Sequence, residues 1–196
     1  FALPSAAVKY IAQHLAENNS KMAKAVVTRV LQIGFLASII AFILLFIPAQ
    51  LVSSLIFSND AYALLLRLLA ICSVFLILNV EVTGFLQGMQ RMRDAALISL
   101  AYTTISASTT FYLLSQGWRL SAVVIGWLAG QSITSVAGLV LTAKFLGFFG
   151  KPYPIKPLLN FSVPLYVSGS IGFFASWIDQ LFLVSYMSLL FGATEA

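Results

Sequence analysis

Cysteine and histidine are nearly missing from this 196-residue chain, which has one of each, Cys72 and His14. One of each can build neither a disulfide framework nor a Cys/His metal site, and no other cofactor motif is present. Cys72 lies inside an apolar run and reads as a small core residue; His14 reads as an interfacial polar residue. Charge is equally scarce, with 9% charged residues against 60% hydrophobic and a mean hydropathy of +0.97. A soluble domain carries roughly a quarter charged residues, so the solvent around most of this chain is lipid. Acids are the rarest charges, 6 against 11 basic residues. Glu81, Asp94 and Asp179 stand apart from one another and the external loops are very short. Paired-acid catalysis has no material to work with, and an enzyme is not expected. The net charge of +5 does not point to nucleic acid, because the basic residues sit in short loops between apolar runs.

What remains is a series of long apolar runs. A hydrocarbon core about 30 Å thick needs about 20 residues of helix. Residues 1–19 read as the tail of a helix, with Val8, Ile11, Ala12 and Leu15 on one face. Ser20 is placed to cap the helix that follows. Spans are expected within 25–47, then over 61–87, 95–116 and 120–143, and again after the proline-broken loop 151–157. Pro48 interrupts the first of these, and Ala49 to Phe57 continue near the outer interface. Ser99, Thr103, Ser106 and Thr110 form a hydroxyl stripe at helical spacing, suited to bonding back to the backbone or across to a neighbour. Gly126 and Gly130 form a G-x-x-x-G pair consistent with close helix packing. Gln131, Thr134, Ser135, Gly138 and Thr142 share a face of the same span. The expected fold is all-α, a polytopic transmembrane helix bundle.

Alternation of the spans sorts the basic residues by side. Lys9, Lys21, Lys24, Arg29, Arg91, Arg93, Lys144, Lys151 and Lys156 collect on one side; Arg119 and Arg67 lie on the other. This bias places the loops at 18–24, 88–94 and 144–157 in the cytoplasm.

Ionisable residues inside such spans are costly and are functional candidates. Asp179 shares a small, polar face with Ser168, Gly172, Ala175, Ser176 and Tyr186. That face serves either close helix packing, with Asp179 bonded to a neighbouring helix, or transport. Glu81 and Arg67 lie ~21 Å apart along one helix and cannot pair. Arg67 is long enough to snorkel to the edge. Glu81 is not, and is expected to line a cavity or to pair with a basic residue of another helix.

Lys9-Tyr10-Ile11-Ala12, the G-x-L-Q-G run Gly84–Gly88 ahead of a basic turn, and Pro164 followed by Asp179 together resemble the polysaccharide-biosynthesis flippases. These belong to the multidrug/oligosaccharidyl-lipid/polysaccharide exporter superfamily. The resemblance covers essentially the whole chain. It implies a fold of two six-helix lobes around a central cavity. On that reading, 1–147 is part of the N-terminal lobe, from the end of its second helix through its sixth. Residues 148–157 are a cytoplasmic inter-lobe loop, and 158–196 hold the first helix of the C-terminal lobe. The chain opens on Phe1 and stops at Ala196, and reads as a fragment of something longer. The implied activity is flipping of a polyprenyl-diphosphate-linked glycan across the cytoplasmic membrane by alternating access, with H+ or Na+ as the coupling ion. A cation-coupled multidrug exporter taking drug-like amphiphiles shares the fold; a membrane glycosyltransferase or polymerase is the third alternative. Cavity candidates are Arg29, for the diphosphate or for simple snorkelling, and Glu81 and Asp179, for ion coupling or lobe-to-lobe bonds.

Overall fold

The computed structural model describes residues 2–57, 62–148 and 150–192, and the side chains among them except 56–57 and 179–192. The described residues form helices α1 (Leu3–Ala16), α2 (Ser20–Phe46), α3 (Ala49–Phe57), α4 (Ala63–Gly88), α5 (Met92–Ser115), α6 (Arg119–Phe145) and α7 (Ile155–Gly192), and no strand occurs among them. Five stretches are long and apolar enough to cross a membrane: α2, α4, α5, α6 and Ile155–Ile178 of α7. The molecule is an all-α, polytopic membrane bundle.

The breaks follow local chemistry. Pro48 separates α2 from α3, as its missing amide requires. The turns after α1 and α4 place Asn18 and Gln90 in the left-handed region, φ 54° and 59°. Asn19 N donates to His14 O and Arg91 N donates to Leu86 O, each at 2.8 Å, closing both helix ends with six-to-one bonds. The cap of α2 corrects the expectation for Ser20. Asn19 fills that role, its Oδ1 accepting from Met22 N at 3.2 Å. The backbone of Asn19 is non-helical, φ −103° and ψ 68°, whereas Ser20 already belongs to the first helical turn.

Small residues set the helix spacing. Alternate layers of α1, α2 and α4 interlock through Ala6, Ile11, Val26, Val30, Val82 and Phe85, all fully buried. The G-x-L-Q-G run is where α1 meets α4. A Cβ on Gly84 would lie 3.1 Å from Pro4 Cβ, and one on Gly88 would lie 2.9 Å from Ile11 Cβ. The G-x-x-x-G pair is used inside the bundle, between α6 and α5. A Cβ on Gly126 would meet the Thr110 hydroxyl and come within 2.8 Å of Ser106 O, and one on Gly130 would be 3.0 Å from Ser106 Cβ. The hydroxyl stripe therefore divides in two. Ser99 and Thr103 donate back to Ala95 O and Ser99 O, each at 3.1 Å, while Ser106 and Thr110 form the floor on which α6 rests.

Candidate functional site

At the end of the bundle that carries the basic loops, the connection between α6 and α7 is tied down by α1 and α2. Tyr153 N donates to Ala25 O at 3.1 Å, and Arg29 Nε donates to Tyr153 O at 2.7 Å. Thr28 Oγ1 donates to Phe148 O, and Tyr10 Oη donates to Pro157 O at 3.2 Å. The Tyr153 ring lies 5.7 Å from that of Tyr10 and 5.5 Å from that of His14. Burial, then the neighbouring Tyr10 and Glu17, raise the Tyr153 phenol above its ordinary value, which keeps the ring neutral. Lys9 Nζ sits 4.3 Å above the Phe161 ring, and Leu158 is fully buried beneath. His14 is buried as well, its Nδ1 3.1 Å from Glu17 Oε2. The candidate Arg29 thus serves as a loop anchor, with one terminal nitrogen also donating to Gln32 Oε1 at 3.3 Å.

This anchoring has a measurable consequence. A hydrogen bond from a charged donor is worth roughly 1.5–3 kcal/mol. Arg29→Ala is expected to speed amide hydrogen exchange at Tyr153, whose N–H donates to Ala25 O beside the Arg29 bond, about ten-fold or more. An unchanged rate would remove Arg29 from the loop's support.

Deeper in the bundle, α4 carries polar groups to two neighbours at once. Asn79 Nδ2 donates to Thr134 Oγ1 of α6, and Val82 packs on Gly138. Thr134, Ser135, Thr142 and Gln131 of α6 are all buried, as their shared face leads one to expect. Glu81, about a quarter-turn from Val82, faces α2 instead. It is 2% exposed, and its carboxyl occupies the notch that Gly34 leaves: a Cβ there would collide with both carboxylate oxygens. Its Oε2 has no hydrogen-bond partner. Among the described residues the ion pairs are His14–Glu17 and Arg91–Asp94, so no described basic residue neutralises Glu81.

Glu81 and Arg29 are not brought together. Glu81 sits in the α2–α4 seam, Arg29 faces the loop, and the side chain of Asp179 lies outside the described residues. Near Asp179, Ser176 Oγ donates back to Gly172 O at 3.0 Å, the bond a hydroxyl in an apolar helix commonly makes. Gly34 and Tyr153 were not legible as site residues, and Tyr10 was legible only as part of the Lys9–Ala12 motif. A lone glycine in an otherwise bulky apolar helix was the available signal for Gly34; Tyr153 gave none.

Residues 1–190 match the family model described as "Polysaccharide biosynthesis protein". The chain belongs to this family. No curated protein and no solved structure gives a match. A polysaccharide biosynthesis protein with five helices, among the described residues, long and apolar enough to cross a membrane is a multi-pass membrane protein acting in polysaccharide synthesis or export. Two of the three motifs noted in its sequence fall on parts that hold the bundle together, while the third begins in the exposed stretch of α7. Tyr10 and Ile11 bind the loop and α4, Gly84 and Gly88 admit α1, and Pro164 lies inside α7.

Proposed function

We propose that this protein moves a lipid-linked oligosaccharide across the cytoplasmic membrane by alternating access, and that it is a transporter without catalytic chemistry of its own. The observation that carries the reading is Glu81. A carboxyl buried among membrane-spanning helices, with no described counter-charge and one oxygen unpartnered, is costly to keep and is expected where an ion is handled. In this reading Glu81 takes up and releases H+ as the α2–α4 seam loosens and closes. Asp179 does the same on α7, or exchanges bonds between lobes. The loop held by Arg29 and Tyr153 joins the two lobes on the cytoplasmic side, and the polyprenyl tail of the substrate stays in lipid. Arg29 is the candidate for the diphosphate when the loop moves, since a guanidinium suits phosphate geometry.

The test is a flipping assay on the full-length protein with Glu81→Gln, Asp179→Asn and Arg29→Ala. Gln is close to isosteric with a protonated Glu, so Glu81→Gln is expected to express and fold normally while losing transport by about ten-fold or more. Wild-type rates in all three variants would refute the assignment.

A further inference from the structure

At the end of the bundle away from the basic loops, α2, α3, α4 and α6 enclose an open-sided cavity of about 310 Å³. Its walls include Leu44 and Pro48 from the α2–α3 corner, Leu66, Leu69 and Leu76 from α4, and Trp127 from α6. The polar side chain in the wall, Ser73, is occupied by its own helix, donating to Ala70 O at 2.7 Å. Nothing in the wall would orient a sugar or a nucleotide; it is a surface for hydrocarbon. Volumes of about 300 Å³ and above are those of real ligand sites.

The rim is different. Arg67 is exposed, one residue along from Leu66. Its Nη2 donates to Gln50 Oε1 at 3.4 Å, and its guanidinium carbon lies 5.7 Å from the centre of the Phe46 ring. Those contacts hold the cation against the α2–α3 corner, which is the same corner that walls the cavity. No carboxylate among the described residues pairs with it. From Leu66 to Leu76 the α4 wall runs ten residues, ~15 Å of helix, which is the depth of one leaflet of a ~30 Å hydrocarbon core.

We infer that this cavity is a binding site for a membrane phospholipid with an anionic headgroup. One acyl chain lies along α4 between Leu44 and Trp127, and the phosphate meets Arg67. Charge complementarity selects the headgroup and the apolar, one-leaflet depth selects the chain. The site is separate from Glu81 and stands whether or not the transport reading does. A lipid held there wedges the α2–α3 corner against α4 and α6, so it supports the half of the bundle that the loop clasp does not reach.

The experiment is native mass spectrometry of the full-length protein in detergent with added phosphatidylglycerol or phosphatidylethanolamine. Phosphatidylglycerol is expected to be retained in preference, and Arg67→Gln to cut that preference roughly five-fold, the effect of one arginine near an anionic surface. Leu69→Trp fills the cavity and is expected to abolish retention of both lipids. Should that variant fail to fold, Leu44→Trp, on an exposed part of α2, makes the same obstruction. Equal phosphatidylglycerol retention in wild type and Arg67→Gln would overturn the headgroup contact. Retention undiminished by either tryptophan, or full competition by free glycerol phosphate, would overturn the acyl site. Stronger retention of an isoprenyl phosphate than of phosphatidylglycerol would assign the cavity to a carrier lipid and overturn the inference. No retained lipid at all would mean that protein fills the space.

Discussion

Gly126→Leu is expected to push α5 away from α6 and lower the thermal midpoint of the purified protein by about 6–12 °C. Overpacking a tight contact costs about 1–3 kcal/mol or more, and a chain of this size loses roughly 2–4 °C per kcal/mol. The upper end applies because one of the opposing atoms is backbone: Ser106 O would lie 2.8 Å from the first added carbon, and a carbonyl within a helix cannot swing aside. The other opposing atom, the Thr110 hydroxyl, can rotate. Gly126→Ala should therefore cost less, and Thr110→Ala in the same chain should recover part of the loss but not all of it. A Gly126→Leu protein melting within a degree or two of wild type would mean that the two helices are not packed at this distance.

The second large effect concerns the α2–α4 seam. Gly34→Ala puts a methyl where the Glu81 carboxyl lies, and the displaced carboxyl has no described basic partner to receive it. The expected loss is about 1–3 kcal/mol, set against the helix-propensity gain of alanine over glycine, about 1 kcal/mol. The pair Gly34→Ala with Glu81→Ala is the informative measurement. The methyl at 34 then enters space the carboxyl has left, and the double variant should be more stable than Gly34→Ala alone. Residues in contact couple by about 0.5–3 kcal/mol. Strict additivity of the two substitutions would show that Glu81 does not occupy the notch. Heat denaturation in detergent, followed by the fluorescence of the tryptophans, reads all four corners of the cycle.

The bundle itself was legible because lipid simplifies the problem. Long runs without charge identify spans, and the helix ends observed at Phe46, Gly88, Ser115 and Phe145 fall within a few residues of those expected. Faces were legible too: Gln131, Thr134, Ser135 and Thr142 are buried together, as one stripe predicts. Starting points were less so. α5 begins at Met92, three residues before Ala95, and α7 begins at Ile155, inside the expected loop. Basic residues such as Arg93 and Lys156 mark the edge of the hydrocarbon, but a helix can continue past that edge into water. Partners were least visible. Glu81 stood out as a buried acid, yet nothing in the order of residues says that it lies against Gly34, forty-seven positions earlier. Arg29 looked like a free cation because its acceptor is a backbone carbonyl, Tyr153 O, and every residue has one of those. Pairings of this kind depend on how helices are rotated about their axes, and periodicity fixes a face without naming the neighbour.

One consequence follows from the way α7 is mounted. Its first turns are fastened to α1, with Leu158 fully buried and Ser162 Oγ donating to Ala2 O at 3.4 Å, while from Val163 to Ile178 almost every side chain is exposed. Pro164 lies just past the fastening and removes one rung of the helical ladder. The helix is thus built like a lever with its fulcrum beside the anchored end. A sideways load on the long arm concentrates its bending near Pro164 and is passed to α1 and, through the Tyr153 clasp, to α2.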